Sequence, residues 1–229
     1  MSSISAERRA KLPIRWGLIV LLVPVFLVST VAAPLAVRIL SLEAFESHGP
    51  SMEPTLRNGD RFAVDRSAYG LSIPLVSDAL VQWAEPEVGD VVVVHSAFDQ
   101  LDIVKRVVGV GGDRIEIRGG LVYRNGAAFV RRALGPCPDD EECLHTEERA
   151  GERAWITSRS ELALPDDMPE VVVPPGHVFV LGDHRDRSND SRNPRIGPVP
   201  SSRVRGRAVL IYWSSDEVAR YERFGQEIR

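Results

Sequence analysis

The segment from Trp16 to Val37, WGLIVLLVPVFLVSTVAAPLAV, runs 22 residues without a charge. As a helix rising about 1.5 Å per residue it spans about 33 Å, against about 30 Å of bilayer hydrocarbon. Such a run either crosses a membrane or is a targeting segment that is removed. Ala32, Ala33 and Ala36 offer the small residues of a cleavage site, yet the run exceeds the roughly 7–15 residues of a signal-peptide apolar region, so the expectation is an uncleaved anchor. Pro24 and Pro34 kink such a helix without forbidding it.

The flanks set its direction. Arg8, Arg9, Lys11 and Arg15 precede the run, whereas RILSLEAFES after it carries one arginine and two glutamates. Positive charge is retained on the cytoplasmic side. Residues 1–15 are therefore expected in the cytoplasm, 16–37 as a single pass through the inner (plasma) membrane, and the rest on the extracytoplasmic, periplasmic side.

Beyond residue 40 the chain reads as strand and turn. RFAVD, DVVVVHS, IVKRVVGV, HVFVLGD and RGRAVLIYW are short β-branched and aromatic runs bounded by NGD, VGD, GGD and PPG. IRGGLVYRNGAAFV carries two turn signals and reads as adjoining hairpins. The expected fold class is all-β: a main body over 41–124 and 175–214, a smaller inserted subdomain over 125–174, and a tail over 215–229. At 44% hydrophobic such a chain can bury a core. Its net charge of −4, with Arg dispersed, argues against a nucleic-acid partner.

Cys137 and Cys143 flank the acidic PDDEE. An even cysteine count in an exported domain favours a disulfide, and two cysteines without a histidine pair at ligand spacing make a poor zinc site. No metal is expected.

The stretch HGPSMEPTLRNGD holds Ser51 between two proline-marked turns. A serine hydroxyl is a weak nucleophile until a base takes its proton. Of the five histidines, His48 would have to fold back across Gly49–Pro50, and His95, His145, His177 and His184 suit solvated or structural roles better than a triad. The lysines number two, Lys11 and Lys105. Lys105 lies in LDIVKRVVGVGGD, where strand alternation sends Lys105 and Arg106 to opposite faces, one of them toward the core. A buried lysine loses affinity for its proton, and the neutral amine is a base; the alternative is a solvent-facing lysine. A third segment, GDHRDRSNDSRNPRIGPVP, is dense in Asp, Arg, Asn and Ser and suits either a set of buried charge-assisted pairs or a solvated loop.

Taken in order after the apolar run, GPSMEPTLRNGD, AYG, GDVVVV, IVKRVVGVGGD and GDHRDRSNDSRNPRIGPVP resemble the type I signal peptidases, membrane-anchored Ser-Lys endopeptidases that remove signal peptides from exported preproteins. The resemblance covers Trp16 to Trp213. It implies Ser51 as nucleophile and Lys105 as general base, with Ser188 orienting the lysine. Asp183, Arg185, Asp190 and Arg192 match the supporting charged shell. Met52, Leu56 and Val104 fall where the family lines its small substrate pockets, and Cys137 with Cys143 falls where some Gram-negative members carry a cysteine pair.

The implied chemistry is acyl transfer without a cofactor, cutting after small residues in an Ala-x-Ala pattern, by a monomer whose partners are signal peptides and the lipid bilayer. Many Gram-negative members carry a serine two residues before the nucleophile as an oxyanion donor, where this chain has Gly49. The Ser51 amide remains as one donor and the second is open. YGLSIPLVSDALVQW is expected partly in the membrane interface. Alternatives are a specialised processing peptidase, for instance for pilin maturation, and a non-catalytic membrane-tethered preprotein-binding domain. The related self-cleaving repressor domains share Ser-Lys chemistry, but the apolar run argues against them.

Overall fold

A computed structural model describes residues 26, 29–30, 41–71, 81–96, 100–138, 140–164, 166–215 and 220–229. The expected anchor over 16–37 lies outside the described residues, save for Phe26, Ser29 and Thr30, which are helical. Among the described residues no helix is long and apolar enough to cross a membrane. The expected interfacial stretch from Tyr69 to Trp83 also lies largely outside them. The chain divides into two units, 1–40 and 41–229, and the strands found among the described residues belong to the second.

That unit is mostly β-sheet with few helices. Its strands are β1 (Leu42–Glu46), β2 (Asp60–Asp65), β3 (Gly70–Leu71), β4 (Val81–Gln82), β5 (Val91–His95), β6 (Asp102–Val110), β7 (Arg114–Arg118) and β8 (Leu121–Arg124). Next come β9 (Ala127–Ala128), β10 (Val130–Cys137), β11 (Asp140–Ala150), β12 (Arg153–Ser160), β13 (Met168–Val172), β14 (His177–Leu181), β15 (Val199–Pro200) and β16 (Val204–Ser214). A short α1 (Arg220–Arg223) lies near the C-terminus.

Seven strands form one antiparallel sheet in the order β1-β2-β16-β5-β6-β14-β15. Its centre explains the unbroken valine run of β5. Val91 and Val93 join one buried cluster with Met52, Leu56, Phe62 and Ile211. Val92 and Val94 join another with Val107, Val178, Val180 and Val199. Both faces of this strand are covered, so the polar alternation of a half-buried strand is absent, and β-branched residues suit every position.

Strands between Arg114 and Val172 form two smaller sheets, β13-β7-β8-β9 and β10-β11-β12. The hairpins expected in IRGGLVYRNGAAFV are present: Gly119–Gly120 joins β7 to β8, and Asn125–Gly126 joins β8 to β9 with φ of +54° and +80°, the left-handed pair that a tight hairpin turn requires. A third buried cluster unites these strands with the large sheet. It holds Ile115, Ile117, Val122, Phe129 and Trp155 together with Val108, Phe179 and Leu181. Phe129 and Trp155 meet edge to face at 5.7 Å.

The segment drawn from sequence as a tail returns to β16. Ile211 N donates to Gln226 O at 2.9 Å, and Ile228 N to Val209 O at 3.0 Å. Ile228 packs against the cluster holding Met52 and Leu56.

Candidate active site

Ser51 lies on the loop between β1 and β2. Ser47 N to Asp60 O and Gly59 N to Ser47 O, both 2.8 Å, close the base of that loop. Within it, Glu53 N donates to Pro50 O and Leu56 N to Met52 O. Met52 and Leu56 then drop into the core cluster and fix the turn from below. Asp60, fully buried, accepts from Arg57 N and from the Arg223 guanidinium, whose Nη2 also reaches Thr55 O. Asp60 and Arg223 thereby tie the nucleophile loop to the returning C-terminal segment, a link that sequence reasoning missed because the partners are remote.

Lys105 comes from β6 and is 4% exposed. Its Nζ is 2.9 Å from Ser51 Oγ and 2.9 Å from Val104 O. A side-chain amine thus meets the serine hydroxyl at proton-transfer distance.

Arg106 is also buried, which corrects the expectation that only one of the pair would face inward. The physical reason is the covering of both faces at the centre of the sheet. Arg106 Nε and Nη2 bind the two Asp183 oxygens at 2.7 Å each, Nη1 donates to Gly89 O and Arg229 O, and the guanidinium lies 5.2 Å from the Trp155 ring. Thr55 Oγ1 donates to the same aspartate. A buried arginine needs its donors met, and here the nucleophile loop, the turn before β5, the loop after β14 and the C-terminal residue jointly serve Arg106 of β6.

That loop, residues 182–192, carries the remaining expected residues. Gly182 N donates to Asp190 Oδ2 at 2.9 Å, and Arg192 forms a fork to Asp190 at 2.8 Å through both Nε and Nη2. The Arg192 guanidinium continues to Asp166. Arg185 pairs with Glu148 of β11, which Arg131 of β10 reaches from the other side. Glu148 is wholly buried and was not singled out from sequence, where EER in an acidic stretch reads as surface. Burial pushes the Glu148 carboxyl up, but the charges of Arg185 and Arg131 outweigh it and hold the group below the usual carboxylate range. Burial pushes Asp190 up in the same way, and the Arg192 fork outweighs it and holds that carboxyl low.

Ser188 Oγ is buried near the Asp190 carboxyl, with no hydrogen bond of good geometry. It sits beside Gly182, where an added Cβ would lie 2.2 Å from Ser188 Oγ and 2.4 Å from Ser51 O. Glycine at 182 is therefore what lets the two serines approach one another. A cavity of about 740 Å³ opens beside Ser188, lined also by Asp166, Phe179, Arg185 and Arg192.

Of the three pocket candidates, Met52 and Leu56 are 1% and 0% exposed, members of the core, while Val104 is partly buried against the same cluster. Gly49 has φ +81° and donates its N–H to Asn58 Oδ1 at 2.9 Å; nothing lies within 4 Å of the point a Cβ would occupy. Among the described residues no histidine ring is hydrogen-bonded to Ser51. His48 is exposed, His95 pairs with Asp102, and His177 contacts Pro175 O. His184 is buried close by, its backbone N–H on Ser51 O at 3.2 Å.

Cys137 and Cys143 are joined by a disulfide, with Cα atoms 5.2 Å apart. His145 lies within 4.8 Å of both sulfurs, but sulfurs engaged in a disulfide are not thiolates that bind a metal.

The chain is similar to known proteins. The family profile described as signal peptidase, peptidase S26, matches residues 15–213. Signal peptidase I of Pseudomonas fluorescens is 32% identical over 198 residues, which cover 80% of this chain and 69% of the relative. Signal peptidase IB of Staphylococcus aureus is 32% identical over 171 residues, 74% of this chain and 76% of the relative. A solved signal peptidase I from Enterococcus faecalis aligns with 54% of this chain and 96% of its own, at 24% identity and a TM-score of 0.33.

Proposed function

This chain belongs to the peptidase S26 family of signal peptidases, serine-type peptide-bond hydrolases, and from that premise we propose that it removes signal peptides by a dyad of Ser51 and Lys105. The observation that carries the reading is the 2.9 Å approach of Nζ to Oγ, with the lysine buried. Removal from water works against the ammonium form, and the neutral amine accepts the serine proton.

The steps follow from that transfer. Lys105 Nζ takes the Oγ proton as Oγ bonds to the scissile carbonyl carbon. The tetrahedral oxyanion collapses, the C–N bond breaks, and the Lys105 ammonium returns the proton to the departing amine. Water then attacks the Ser51 ester while Lys105 accepts its proton, and Oγ leaves reprotonated. The Ser51 amide is the proposed oxyanion donor. Gly49 contributes no side-chain donor, and one such donor is worth about 2.7–4 kcal/mol in barrier elsewhere.

Arg106, Asp183, Arg185, Asp190 and Arg192 have structural roles in this reading: they fix the loop that backs Ser51, and Ser188 orients the lysine once substrate is bound. Small side chains of an Ala-x-Ala segment seat against Met52, Leu56 and Val104. Met52 moves to admit them, which its flexible thioether permits. The uncharged run over 16–37 anchors the chain in the inner membrane with the β unit outside, as a monomer acting on signal peptides at the bilayer surface. Incubating the full chain in detergent with a preprotein bearing an Ala-x-Ala site tests this. The wild type cuts; Ser51→Ala and Lys105→Ala do not. An intact substrate with wild type, or equal cutting by either variant, ends the proposal.

A further inference from the structure

His184 is a buried titratable group to which the proposed chemistry gives no part. Its side chain is 2% exposed, and neither ring nitrogen has a hydrogen-bond partner. Each nitrogen is nevertheless faced by a carboxylate: Nδ1 lies 3.7 Å from Glu53 Oε2 and Nε2 lies 3.4 Å from Asp186 Oδ1. Glu53 is two residues after Ser51 on the nucleophile loop, and Asp186 belongs to the loop that carries Asp183 and Ser188. The His184 backbone N–H donates to Ser51 O at 3.2 Å. Strand β12 holds the same point from behind, Ser158 N donating to Asp183 O and Arg185 N to Ser158 O. The histidine therefore stands where the two loops and the smaller sheet meet.

A neutral imidazole has one N–H and can serve one of the two carboxylates; the doubly protonated ring donates to both. Two further basic groups are in electrostatic reach of this corner. His145 of β11 is pushed down by burial, then by Arg57 and by His184. Arg57 sits on the nucleophile loop itself.

Resting on the peptidase reading above, we infer that His184 is a positioning residue: its buried ring, set between Glu53 and Asp186, fixes the backbone of Ser51 relative to the loop behind it. Motion of Oγ is thereby restricted along the line to Lys105. The ring is confined between its two acidic neighbours, and substrate does not touch it.

The test is ¹⁵N-histidine spectroscopy of the full chain in detergent, with the His184 signal identified by its loss in His184→Asn. The ring ¹⁵N shifts move when Glu53→Gln and Asp186→Asn are combined, because the ring lies against both carboxylates. In preprotein cleavage, His184→Asn lowers kcat by about tenfold to a hundredfold, the scale of misplaced reacting groups, with KM unchanged. Glu53→Gln lowers kcat in the same sense, and adding it to His184→Asn has no further effect. Ring ¹⁵N shifts unmoved by Glu53→Gln with Asp186→Asn, or wild-type kcat in His184→Asn, overturn the inference. Should His184→Asn not fold, the spectra of Glu53→Gln and Asp186→Asn decide the matter. Failure of the wild type to cleave would instead remove the peptidase reading and leave the spectrum readable.

Discussion

Lys105 Nζ lies 2.9 Å from Ser51 Oγ across 54 residues of sequence. A loop pinned by Asp60 and a strand at the centre of the large sheet bring the two together. If the amine is the base, cleavage rises with pH, because only the unprotonated lysine accepts the Oγ proton and acid refills it. Initial rates on an Ala-x-Ala preprotein, measured from alkaline to acidic buffer, fall toward acid. A profile flat down to about pH 5 counts against the lysine base.

Arg106 and Asp183 form a two-point pair with both side chains out of solvent. Removing one partner of such a pair strands a charge, at a cost of about 3–5 kcal/mol. Asp183→Ala therefore unfolds at much lower denaturant than wild type, and adding Arg106→Met recovers part of the loss. Equilibrium unfolding of the two variants measures this, and additive losses would show that the pair is not a unit.

The carboxyl of Glu148 is held low by Arg185 and Arg131 despite its burial. A carboxylate whose folded value is depressed adds stability above its unfolded value, and that stability drains as pH falls through the folded one. The chain is thus expected to lose stability progressively below about pH 4.5, Asp190 contributing in the same direction. Glu148→Gln has lower stability at neutral pH and a flatter dependence on acid. Thermal midpoints across the acid range read both.

Much of this was legible in sequence, for identifiable reasons. The valines of β5 and the Asn125–Gly126 turn declare themselves by residue type, and Lys105 stands out as the one lysine past the apolar run. The role of Arg106 was not legible: alternation in a strand assigns one side chain to each face, but cannot tell that both faces are covered. Nor was Glu148, since its arginine partners lie on a neighbouring strand and a distant loop. Asp60 and Arg223 escaped for the same reason, being 163 residues apart.

Two glycines near Ser51 separate steric from conformational need. At Gly182 a Cβ would collide with Ser188 and with Ser51 O, so Gly182→Ala displaces one of the serines and abolishes cleavage in the preprotein assay. At Gly49 there is space for a side chain but φ is +81°. Gly49→Ser therefore costs about 1–2 kcal/mol of stability, the penalty for a left-handed residue with a Cβ, while cleavage persists. Paired unfolding and cleavage measurements distinguish the two, and a fully active Gly182→Ala would refute the packing argument.

The proposed mechanism turns on a neutral Lys105 taking the proton from Ser51. Lys105→Arg puts a permanently cationic donor at this position that cannot act as base, because arginine stays protonated. The direct measurement is the single-turnover rate at which Ser51 is acylated by an Ala-x-Ala substrate, followed by mass spectrometry of the intact chain. A fall of about 10²–10⁴-fold is predicted for Lys105→Arg, the usual worth of a positioned general base. Acylation of Ser51 at the wild-type rate in that variant would contradict it.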